Sequence, residues 1–125
     1  MQKIFMFSGI DKEKGLTRKQ TKELLKNIPS NLTISFIASE FYKYDKSDLK
    51  YENTLKFFNS IKLRFKETFL IDGRLSKEDV IERLSKTDII FLMGGDPKDE
   101  MDSINDYRIT DIINSKNSFF ILRIT

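Results

Sequence analysis

Thr87-Asp88-Ile89-Ile90-Phe91-Leu92-Met93-Gly94-Gly95-Asp96-Pro97 is the stretch on which the reading of the whole chain turns. An apolar run stops at a glycine pair, and an Asp-Pro pair follows. Side chains on a strand alternate between its two faces, so an unbroken apolar run predicts a strand buried on both. A parallel sheet with helices on each face meets that need. The glycines let the backbone turn sharply and come close to a ligand, while Asp96 is predicted as an N-cap and Pro97 as the first helical residue. Unpaired N–H groups at such a helix start favour negative charge. Gly94 and Gly95 are therefore the candidate site. A tight strand-to-helix turn without a ligand stays open as the other reading, because a lone Gly-Gly is a weak motif.

Outward from this stretch, short apolar runs alternate with amphipathic ones. Residues 3–7 predict a first strand, ended by Ser8-Gly9, and the loop 10–16 has no apolar period. Thr17 with Gln20 forms a capping box, after which Thr21, Leu24, Leu25 and Ile28 share one helical face up to Pro29. Residues 33–38 predict the second strand. From about Lys46 a long helix carries Tyr51, Leu55, Phe58 and Ile61 on one side, and its aromatics read as core rather than as a surface for stacking bases. Residues 68–71 predict the third strand, followed by Asp72-Gly73-Arg74. Ser76 with Asp79 then starts a short helix with Val80, Ile81 and Leu84 turned inward. After the fourth strand a helix is predicted over 97–114, with Met101, Ile104, Ile109 and Ile112 as its apolar face, and residues 119–122 form a fifth strand.

This alternation predicts one α/β domain over residues 1–125, a parallel sheet of about five strands with right-handed crossovers and helices on both faces. Charged residues make up 33% of the chain and hydrophobic ones 39%, a balance that suits a water-soluble domain. The net charge is only +3 and the lysines read as scattered along helix faces, so neither nucleic acid nor a membrane is an expected partner. The sequence has no cysteine and no histidine. Disulfides, thiolate nucleophiles, Cys-ligated metals and a Ser-His-Asp triad are thereby excluded within these residues. Ser8-Gly9 after the first strand is neither a G-x-G-x-x-G turn nor a P-loop, and no cofactor is expected. Residues 4–7 are too short an apolar run for a signal peptide and no stretch approaches a membrane span, so the expected location is the cytoplasm. The sequon Asn31-Leu32-Thr33 reads as a chance occurrence. Arg74, at the carboxyl end of a strand, is a candidate for an anionic ligand, with pairing to a nearby Asp or Glu as its other reading.

Three segments carry a resemblance. Phe36-Ile37-Ala38-Ser39, Ile71-Asp72-Gly73-Arg74-Leu75-Ser76 and above all Ile89-Ile90-Phe91-Leu92-Met93-Gly94-Gly95-Asp96 resemble the dipeptidase E and cyanophycinase family, serine peptidases built on the flavodoxin-like, class I glutamine amidotransferase-like fold. The resemblance runs over nearly the whole chain, and Gly-Gly-Asp is its most specific part. It implies a backbone donor to an oxyanion hole at Gly94 and Gly95 and a small peptide as substrate, with Asp96 and Arg74 as candidate substrate contacts. Preorganised donors of that kind contribute about 3 kcal/mol or more each to a developing oxyanion. In the family the nucleophilic serine follows the next buried strand in a G-x-S-A-G elbow, with a histidine beyond it. Here Arg123 stands at the elbow's first glycine and Thr125 falls at the nucleophile position. An elbow needs small neighbours and a helix behind the hydroxyl, and no histidine exists here to activate Thr125. The expectation is the N-terminal portion of a serine peptidase-like hydrolase, incomplete at the C-terminus and inactive by itself. The alternative is a non-catalytic flavodoxin-like binding or interaction module. Under the first reading the apolar strand 119–122 is left with an uncovered edge through which the chain self-associates.

Overall fold

The computed structural model describes residues 3–8, 30–93, 97–107, 109, 111 and 119–124. The first predicted helix, 17–28, lies outside them, as do Gly94, Gly95, Asp96, Ile112 and Thr125.

The fold is α/β, and its heart is a three-stranded parallel sheet. Leu32–Ile37 (β2) lies between Phe65–Ile71 (β3) and Ile89–Leu92 (β4), pairing parallel to each. Lys3–Ser8 (β1) and Phe119–Ile124 (β5) run alongside. β5 pairs parallel to β4, and β1 pairs parallel to β5. The lateral order is thus β1-β5-β4-β2-β3.

Two consequences correct the sequence reading. The backbone of residues 119–124 is paired on both sides, so the open edges belong to β1 and β3 and not to this strand. The first strand stands at an outer edge, whereas flavodoxin-like sheets hold it in the interior.

Alternation in β2 and β4 explains the apolar run of the opening stretch. Ile34 and Phe36 of β2, with Ile89, Phe91 and Met93, face one way and form a core with Phe58 and Leu63. Ile37 and Ile90 face the other way and form a second core with Val80, Leu84, Ile104 and Ile109. Both faces are dry, so neither register of the strand tolerates a polar residue without a partner. With Thr33, Ser35 is one of the two buried polar residues of β2. Its Oγ lies 2.6 Å from Thr87 Oγ1, and Thr87 gives its single hydroxyl hydrogen to Arg83 O at 2.7 Å. Ser35 must therefore be the donor in that pair.

Tyr44–Ser60 (α1) covers the first face. Its Tyr51, Leu55, Phe58 and Ile61 pack as the periodicity predicts, with Phe58 edge-on to Phe91 and Phe65 at 5.9 and 5.5 Å. The aromatics are core. The helix ends in a Schellman arrangement: Leu63 N donates to Phe58 O and Lys62 N to Asn59 O, both at 3.0 Å, with Lys62 at φ 65°. Lys77–Ser85 (α2) covers the second face. Ser76 caps it by accepting from Asp79 N at 3.1 Å, as predicted, and Val80 and Leu84 are buried. Ile81, expected inward, is 51% exposed. One residue is a 100° step around a helix, and with Val80 and Leu84 aimed at the sheet that step carries Ile81 off the core face. Pro97–Asp106 (α3) begins at the predicted proline and lies on the same face through Ile104. Met101, expected on its apolar face, is 52% exposed.

The helix faces follow from the strand order. From β2 the chain steps outward to β3, with α1 on one face. It then steps back past β2 to β4 and on to β5, with α2 and α3 on the other. Crossovers of a single hand require this: reversing the direction of travel reverses the face.

Candidate functional site

The chain reverses direction between β2 and β4. The helix after β2, α1, lies on one face and the helix after β4, α3, on the other. Adjacent parallel strands whose outgoing loops diverge leave a crevice at their carboxyl ends, the usual ligand position in open α/β sheets. Register makes the edge level. Ile37 pairs with Ile71 on one side and with Leu92 on the other, and Met93 N donates to Ile37 O at 3.0 Å. The three segments quoted from the sequence therefore leave the sheet at one height along one edge. Gly94, Gly95 and Asp96 occupy the interval between Met93 and Pro97, outside the described residues. Ala38 and Ser39, both buried, are the first residues past β2 at this edge.

Beside these strand ends the β3 loop is tied down by charge. Asp72 is buried, its side chain 2% exposed, and accepts from Arg74 N at 2.9 Å and from Arg74 Nη2 at 2.7 Å. The same guanidinium pairs with both oxygens of Asp48, at 2.5 and 3.1 Å, and lies 4.9 Å over the Tyr44 ring. The hydrogen bonds from Arg74 hold the Asp48 carboxyl below the usual carboxylate range, and Asp48 and Asp72 together raise the Arg74 guanidinium further. Of the two readings of Arg74, internal pairing is the one realised: its charge is spent on locking the β3 loop to α1. Arg74 is exposed enough to be reached, but an anion there must compete with two carboxylates.

The rest of the loop packs closely. Gly73 N donates to Phe41 O at 2.8 Å, and a methyl group placed on Gly73 would stand 2.6 Å from the Tyr42 ring and 2.9 Å from Phe41 O. Phe41 is buried edge-on to Tyr107 at 5.2 Å, and Tyr107 donates its hydroxyl to Leu75 O at 3.1 Å. Burial pushes the Tyr107 phenol up. Nearby, Glu40 accepts from Lys46 and is held low by it. Sequence reasoning named Arg74 but not Asp48, Tyr44 or Tyr107. They lie on α1 and beyond α3, and no local spacing connects them to residue 74.

No protein family, characterised protein or solved structure matches this chain. Its function must be read from the geometry. Among the described residues no group of His, Cys, Asp or Glu side chains is arranged to hold a metal ion, and no described helix is long and apolar enough to cross a membrane.

Proposed function

We propose that this chain is the binding portion of a serine peptidase-like α/β domain, flavodoxin-like in its two-faced, five-stranded winding but with its first strand moved to the edge. Gly94 and Gly95 offer backbone donors to an oxyanion or carboxylate of a small peptide, and these residues supply no acid–base group of their own. The observation that carries the reading is the switch point: the helices that follow the neighbouring strands β2 and β4 lie on opposite faces of the sheet, and in the sequence the Gly-Gly pair follows directly on Met93. A glycine pair between a strand end and a helix start suits close backbone approach to negative charge. The chemistry is assigned to binding, because the chain has no histidine to form the Ser-His pair that the resembled peptidases use. Asp96 is assigned to the same ligand, and Arg74 to fixing the loop beside it. A chain without cysteine suits a reducing compartment, and we place it in the cytoplasm.

A serine-directed fluorophosphonate probe and an aspartyl dipeptide test this reading together. The expected result is no adduct by mass spectrometry and no release of free aspartate. Stoichiometric labelling of any serine or of Thr125, or turnover that survives repurification, overturns it.

A further inference from the structure

The amino-terminal edge of the sheet, opposite the proposed site, carries a feature invisible in the overall charge. Residues 56–66 read Lys-Phe-Phe-Asn-Ser-Ile-Lys-Leu-Arg-Phe-Lys, with four cations and no carboxylate, on a chain whose net charge is +3. The last turn of α1, the turn after it and the start of β3 bring them together, where a linear reading had the lysines scattered. Lys56, Lys62, Arg64 and Lys66 are all exposed, and none joins an ion pair among the described residues. A cleft of about 420 Å³ opens here. Leu55, Leu63 and Phe65 give it apolar walls, and Lys56, Asn59 and Arg64 give it polar ones.

We infer that this cleft is a docking site for an acidic protein segment with one apolar anchor residue. Unpaired cations around a recess with apolar walls complement carboxylates flanking a hydrophobic side chain. Single-stranded nucleic acid fits less well, because it stacks on exposed rings. Here the half-buried Phe57 and Phe65 rings each pack against Phe58 of the core. A membrane surface calls for projecting apolar groups, and among the described residues the large exposed apolar side chains, Tyr42, Leu49, Ile81 and Met101, lie outside this segment. Strand addition to the β3 edge is blunted as well. The ladder with β2 shifts between Leu32 and Thr33, leaving Lys66 as the extra residue, and Lys66 and Glu67 are both exposed. Recognition is therefore by side chains over the cleft.

The test is fluorescence anisotropy with a labelled Asp-Glu-Asp-Phe-Asp-Glu-Asp peptide, the same peptide with serine for phenylalanine, and an oligothymidylate. Wild-type chain is expected to bind the first saturably, to bind the serine version more weakly, and to lose about tenfold in affinity in the Lys56→Glu/Arg64→Glu variant. The distant Lys43→Glu/Lys77→Glu variant is expected to bind as wild type does. Should the first variant fail to fold, the single Lys56→Gln and Arg64→Gln variants take its place. Absence of saturable binding, an equal loss in the distant variant, no effect of the anchor, or tighter binding of oligothymidylate each overturns the inference.

Discussion

Replacing Gly73 by alanine probes the loop that flanks the proposed site. The new methyl would lie 2.6 and 2.7 Å from two carbons of the Tyr42 ring and 2.9 Å from Phe41 O. The ring can swing away, since Tyr42 is 71% exposed. The carbonyl cannot, because Gly73 N donates to it at 2.8 Å and the Phe41 side chain is buried against Tyr107. Relief must come from moving backbone between the β2 and β3 loops, which strains the Asp72–Arg74 clamp one residue away. Overpacking of this kind costs about 1–3 kcal/mol, or roughly 4–12 °C in Tm for a chain of this size. Differential scanning fluorimetry of wild type, Gly73→Ala and Gly73→Ala/Tyr42→Ala measures it. The double variant is expected to recover only the part owed to the ring. A Gly73→Ala midpoint within about 1 °C of wild type would refute the reasoning, as would full recovery in the double variant, which would locate the strain in the ring and not in the carbonyl.

Thr87→Val removes the acceptor of the Ser35 hydroxyl inside a dry face. Chemical denaturation should show a loss of about 1–3 kcal/mol, larger than that of Ser35→Ala, which leaves only an acceptor short of one donor. Lys62→Gly should raise the unfolding free energy by about 0.5–1 kcal/mol, because a β-carbon is disfavoured at φ 65°; an unchanged or lower value would mean that Lys62 sits there without strain. Asp48 has its pKa lowered by Arg74 in the folded state, so its contribution is present above about pH 4 and is lost as the pH falls through the folded value below that. Between pH 5 and acid, as a range of about 2–3 units, Asp48→Asn should lose less stability than wild type, and parallel curves would contradict the pairing.

The opening stretch was legible because its apolar residues alternate onto two faces that are both covered, and because Pro97 and the Ser76/Asp79 pair mark helix starts by local chemistry alone. Order in the sheet was not. Which strand neighbours which depends on long-range packing, and nothing in residues 3–7 or 119–122 announces that they pair with each other. Three residues at the start of β3 were missed, since Lys66 and Glu67 are the polar residues of an open, bulged edge and break the apolar pattern there. Arg74's position at a strand end was readable, but its partner Asp48 lies 26 residues away on another element. The cation group of 56–66 is contiguous in the sequence and was readable there, but the recess with apolar walls beside Lys56 and Arg64 is made only by the fold.

The central claim is that the backbone beyond β4 receives a small anionic ligand. A ¹⁵N-labelled sample titrated with the dipeptide Asp-Leu, followed by amide NMR, tests it most directly. Saturable shifts are expected, concentrated at the amides of Gly94 and Gly95 and extending to Ala38 and Ser39, with the dipeptide recovered intact. Saturable shifts confined to other parts of the chain, or no shifts at Gly94 and Gly95 at any ligand concentration, would contradict it.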